Sequence, residues 1–162
     1  MRTRIVYTKI WKDSFYSSLT TIEKLLFVYF ITNEYVNIVH LYELPERVIL
    51  FDTGVSKQEL DNAKNKFEAN RKIYFYKDFV YLANARRYES YIGDKNEKAK
   101  TTLYGQLSKD VLDWYYSIPD TPKIGVYIPP INHKSEIINH KSEISRELFE
   151  KKRKELQDKR II

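Results

Sequence analysis

The chain has 162 residues, with 28 Lys and Arg against 22 Asp and Glu for a formal net charge of +6, and it carries 14 Tyr and 8 Phe but no Cys. That length holds one domain of common size plus an extension, and the aromatic content excludes a chain that is disordered throughout. The absence of cysteine excludes disulfides, thiolate nucleophiles and zinc sites of the finger or ribbon type. The positive charge favours polyanionic partners without choosing among DNA, RNA and lipid headgroups. The first ten residues lack an apolar signal core, and no stretch approaches the roughly 20 apolar residues of a membrane span. A soluble, cytoplasmic protein without membrane contact is therefore expected.

In chain order, Ile5 to Trp11 is apolar and β-branched with Thr and Lys between, and predicts an extended arm or short edge strand packing on the main domain. Phe15 and Tyr16 anchor a turn after it. Thr20-Thr21-Ile22-Glu23 has the capping-box form and opens a first helix, apolar nearly all round and hence expected at the centre of the core, which ends at Thr32-Asn33. Asn37 to Leu44 reads as a strand. Pro45 suits the first turn of a second helix that runs to about Asp52, and Thr53-Gly54 breaks it through a left-handed glycine. Ser56-Lys57-Gln58-Glu59 is a second capping box, opening a third helix to about Asn70. Leu60, Ala63 and Phe67 share one face of that helix; Gln58, Asp61, Asn62 and Asn65 share the opposite one. Lys72 to Tyr76 and Phe79 to Ala83 read as two strands joined by Lys77-Asp78.

Helix, strand, helix, helix, strand, strand is the winged-helix order, so the expected fold is α+β: a winged helix-turn-helix domain over residues 1–84 with a helical C-terminal extension. The extension, 85–118, reads as one helix from Asn96 to about Ser117, with Leu103, Leu107 and Val111 in one stripe and Trp114 close by. Pro119 and Pro122 end it. Residues 119–145 read as a linker containing the duplication Ile131-Asn-His-Lys-Ser-Glu-Ile137 and Ile138-Asn-His-Lys-Ser-Glu-Ile144, too few copies for a solenoid. The tail, 146–162, is charged, helical or disordered.

Gln58, Asn62 and Asn65 are the candidate base contacts, because side-chain amides pair bidentately with an adenine edge in the major groove; the alternative is an ordinary solvated helix face. Asp61 among them speaks either for a cytosine contact or against deep insertion. Lys57, Lys64, Lys66, Arg71, Lys72 and Lys77 flank that face or lie on the wing and are the candidate phosphate contacts, with plain solubility as the alternative. Arg2, Arg4 and Lys9 are candidates for a minor-groove arm. Tyr74, Tyr76 and Tyr81 suit either base stacking or cross-strand packing. His40, His133 and His140 lack further ligands for a metal. With no phosphate-cradling glycine loop or nucleophile elbow in the chain, no cofactor and no catalysis are expected.

Tyr42-Glu43-Leu44 and Phe51-Asp52-Thr53-Gly54, with Ile10-Trp11, Leu19, Lys24-Leu-Leu-Phe27 and Thr32-Asn33 upstream, resemble the N-terminal winged-helix domain of phage replication initiators and replisome organisers, the group related to DnaD-type primosome proteins. The resemblance spans roughly Ile5 to Asn84, and the segment near Asn96 to Ser117 resembles the helical segment on the C-terminal side of this domain in such proteins. It implies binding of double-stranded DNA at a replication origin in a bacterial host cell. It also implies recruitment of a helicase loader or other replication protein; apart from the resemblance, a second copy of the chain is a further candidate partner. The family pattern favours glycine where His40 stands and in the turn where Asn70-Arg71 stands, and the chain lacks a full-length DnaD-type recruitment domain. Two other functions fit the same fold: transcriptional regulation, and a protein-interaction factor, such as an inhibitor of a host or defence protein, that uses the winged helix as scaffold.

Overall fold

The computed structural model describes residues 3–88, 94–119 and 121. By its contacts the chain divides into Met1–Pro129 and Pro130–Ile162. Arg2, both copies of the duplication, His133, His140 and the charged tail lie outside the described residues. The described elements form a mixed helical and sheet architecture compatible with an α+β class.

Thr8–Lys12 is a 3-10 turn where an extended arm or edge strand was expected. The following helix α1, Ser14–Ser17, is capped by Asp13, whose Oδ1 accepts from the Tyr16 amide at 2.9 Å. Asp13 stops the extended run because its carboxylate offers the backbone a helical start. Helix α2, Thr21–Thr32, begins at the expected capping box: Thr20 N–H donates to Glu23 Oε2 at 2.7 Å, and Glu23 N–H donates to Thr20 Oγ1 at 3.3 Å. At its end, Asn33 Nδ2 donates to the carbonyls of Tyr29 and Phe30, and the Tyr42 hydroxyl donates to that of Phe30 at 2.6 Å. Leu26 and Phe30 are buried, whereas Leu25 is 46% exposed. The helix therefore flanks the core and does not occupy its centre.

Strand β1 spans only Leu41–Glu43, shorter than the run from Asn37 to Leu44. Asn37 accounts for the difference. Its Oδ1 accepts from the Val39 amide and its Nδ2 donates to the Leu41 carbonyl at 2.7 Å, which winds the chain into a turn. His40 then takes a positive φ of 57° before the strand starts. Helix α3, Glu46–Thr53, ends at Gly54 with φ 68°, and helix α4, Lys57–Ala69, opens at the Ser56/Glu59 capping box. In the second glycine-favouring turn the positive φ falls on Arg71, at 54°, while Asn70 stays at −94°.

Strands β2, Ile73–Tyr76, and β3, Phe79–Leu82, pair with Tyr76 opposite Phe79 around Lys77, which carries φ 51°. The antiparallel order is β1-β3-β2. On the free edge of β2 the Phe75 amide donates to Glu68 Oε1 of α4 at 2.9 Å.

Alternation along the strands splits the sheet into two apolar faces. Ile73, Phe75, Val80 and Leu82 join α1 to α4 in one cluster, where Phe67 meets the rings of Phe15, Phe27 and Phe30 in edge-on contacts of 5.6 to 6.3 Å. Tyr74, Phe79 and Tyr81 face the other way, onto the extension. That extension is two helices where one was expected: α5, Asp94–Gly105, and α6, Lys109–Ser117, with Ser108 in extended geometry between them as the start of α6. Gly105 weakens helix continuation and Ser108 favours a fresh start. Leu41, Tyr81, Tyr104 and Tyr115 are buried where this pair meets the sheet. Residue 84 therefore marks no break in the packing.

Candidate nucleic-acid interface

Helix α4 has two chemically opposed sides. Leu60, Ala63 and Phe67 are each 0% exposed. Gln58, Asn62 and Asn65, a half-turn away, are exposed, and among the described residues their side-chain amides have no hydrogen-bond partner. Ser56 fixes the phase of the helix by ending the preceding turn, so the polar triad faces outward because the core triad faces in.

The cations around this face are engaged within the protein. Glu46, the first residue of α3, accepts from Lys57 Nζ through Oε1 at 2.7 Å and from Lys64 Nζ through Oε2 at 3.0 Å. Lys57 also lies 3.5 Å from Asp61, and Lys64 lies over the Phe75 ring at 5.5 Å. Hydrogen bonds from Lys57 and Lys64 hold the Glu46 carboxyl below the usual carboxylate range. Lys66 pairs with Glu23 at 2.7 Å. Lys72 Nζ lies 5.0 Å from the centre of the Phe15 ring. Arg71 is exposed.

At the hairpin tip Lys77 pairs with Asp110 of α6 at 2.6 Å, and that contact holds the Asp110 carboxyl down at about 2. The three tyrosines of the hairpin are used in packing: Tyr74 stacks with Tyr81, Tyr76 stacks on Trp114 at 5.3 Å, and Tyr81 meets Tyr115 edge-on at 4.9 Å. In the N-terminal segment Arg4 donates to the Val36 carbonyl, which ties it to the loop before β1, and Lys9 is exposed in the 3-10 turn.

His40, the residue before β1, is 1% exposed. Burial, reinforced by the charges of Arg4, Arg86 and Lys100, holds its imidazole down at about 3. Among the described residues no three His, Asp or Glu side chains gather as metal ligands, and no helix is long and apolar enough to cross a membrane.

The pairing of Lys57, Lys64, Lys66 and Lys77 with Glu46, Glu23 and Asp110 was missed in sequence. The partner of each lysine lies between 11 and 43 residues away along the chain, and no local pattern reports such a pairing. Family models, curated proteins and solved structures were all compared with the chain, and none matches.

Proposed function

We propose that this is a DNA-binding protein of the winged-helix class, with α3 and α4 as its helix-turn-helix and β2–β3 as its wing. Within that class we propose a phage-type replication initiator that binds double-stranded DNA at an origin, in the cytoplasm of a bacterial host, by binding and without catalysis. The observation that carries the reading is the outward triad Gln58, Asn62 and Asn65, whose amides are unused on the side of α4 opposite its core. Such amides on a well-anchored helix suit adenine edges in a major groove. The element order supports the same reading, as does the resemblance to phage initiators carried by Tyr42-Glu43-Leu44 and Phe51-Asp52-Thr53-Gly54.

The test begins with selection of bound fragments from the source genome. Enrichment of a repeat within the protein's own coding region favours origin binding; enrichment of a promoter favours a regulator. On the selected duplex, Asn62→Ala is expected to cost about 1 to 3 kcal/mol, with little change on random DNA, because base-edge contacts alone carry sequence information. A silent Asn62→Ala on every duplex defeats the reading.

The second reading, a protein-interaction factor, is favoured by Phe51 at 88% exposure on α3 and Trp11 at 68%. Large exposed aromatics suit a protein interface. Salt separates the two, since phosphate-mediated binding weakens steeply with added salt and an apolar interface does not.

A further inference from the structure

The polar face of α4 is bordered on one side by a carboxylate that occupies two of the helix's lysines. Glu46 projects from the start of α3, and each of its oxygens holds one ammonium, Lys57 at 2.7 Å and Lys64 at 3.0 Å. With Asp61 against Lys57 at 3.5 Å, the four side chains form a group of two positive and two negative charges. A neutral group gains little from displacing the counterions that surround DNA, although displacement of such ions supplies most sequence-independent affinity. A phosphate approaching either lysine meets the Glu46 charge beside it.

We propose that Glu46 is an affinity-setting residue that competes with DNA phosphate for Lys57 and Lys64. It thereby holds down the sequence-independent part of binding at the α4 face. The inference rests on the DNA-binding reading proposed for this helix. Two features give Glu46 this role over the other carboxylates nearby. It alone among the described residues bridges two lysines that flank Gln58 and Asn62. It also stands on α3, outside the helix that carries the candidate base contacts, so its charge can be removed without altering α4 itself. Lys64 is the more enclosed partner, with a side chain 19% exposed, whereas the Lys57–Glu46 pair lies open at 63% and 34%, so exchange of a carboxylate for a phosphate at Lys57 needs no rearrangement of the core. Solvated ion pairs of this kind hold each other weakly.

The experiment uses the full chain with Glu46→Gln, which removes the charge and keeps the shape. Binding is measured by fluorescence anisotropy on the selected duplex and on a random duplex across a salt series. Affinity for both is expected to rise roughly fivefold, the effect of removing a like charge about 6 Å from a phosphate at a solvated surface. The plot of log affinity against log salt is expected to steepen by about one unit per lysine released to a phosphate. Adding Lys64→Gln to Glu46→Gln is expected to take back about one unit. Thermal melting of each variant checks folding, and Glu46→Ala serves in place of Glu46→Gln if the latter melts without cooperativity.

Unchanged affinity and slope in a folded Glu46 variant, on a duplex whose binding Asn62→Ala weakens, overturns the role of Glu46 and leaves the DNA reading standing. Failure of the wild type to bind any duplex, or an Asn62→Ala that changes nothing, overturns both.

Discussion

The two faces of the sheet are packed with different chemistry. Toward α1 to α4 the core is mostly Phe, Leu, Ile and Val, with Tyr16 and Tyr42 among them and Phe67 at the meeting point of three other phenylalanine rings. Toward α5 and α6 it is built on tyrosine: the hydroxyls of Tyr104 and Tyr115 lie 3.2 Å apart, Arg86 donates to Tyr104, and Tyr81 stands edge-on to Tyr115. His40 is buried between Val39 and Leu41 of the same cluster. The first face is held mainly by burial and shape, with the bond from the Tyr42 hydroxyl to the Phe30 carbonyl as a buried directional contact. The second adds directional bonds that are costly to break once water is excluded. The extension is thus fastened by a polar core, and a single lost hydroxyl there should be felt without any cavity being made.

The largest effect that sharpens this contrast is Phe67→Ala, expected to cost about 3 to 5 kcal/mol in equilibrium unfolding, the range for a truncated buried aromatic. A loss under about 1 kcal/mol breaks the description of the apolar face.

Next is acid sensitivity of the tyrosine side. His40 is depressed from 6.5 to about 3, so its contribution is fully present above pH 6.5 and is lost as pH falls below that value. The loss is up to about 1.4 kcal/mol per unit, or roughly 2 kcal/mol by pH 5. His40→Asn, which also tolerates the positive φ, should flatten the stability profile between pH 6.5 and 5. The lowered carboxyls of Glu23 and Glu46 come into play only further down.

Tyr115→Phe, which removes one hydroxyl and no ring, should cost about 1 kcal/mol. A cost near zero would mean that the second face, too, is held by shape. The smallest effect is expected from removing residues after Pro130, since both clusters lie in Met1–Pro129. The melting temperature of the truncated chain should stay within a few degrees of the full chain.

What was legible in sequence was local. Both capping boxes form, Gly54 takes the left-handed turn, and the buried triad of α4 is the one that helical spacing marks. These features involve residues a few positions apart. The hairpin was legible for the same reason. The 3-10 turn at Thr8–Lys12 was not, because the apolar, β-branched run there resembles a strand until Asp13 caps a helix. The shortening of β1 depended on one asparagine choosing its own backbone over the ladder. The docking of α5 and α6 depended on Tyr81 meeting Tyr115, 34 positions later. In the candidate site, the outward triad followed from periodicity, but the ion pairs of Lys57, Lys64, Lys66 and Lys77 did not.

The bond from the Phe75 amide to Glu68 has a bearing on how the protein behaves when concentrated. An open strand edge offers unpaired amides to any passing chain, and that is how sheets grow into fibres. On β2 one such amide is already occupied from within, by a carboxylate whose charge would also repel an incoming strand's carbonyls. The β2 edge thus carries one internal block to strand addition, and Glu68→Ala is expected to raise aggregation in light scattering of concentrated samples.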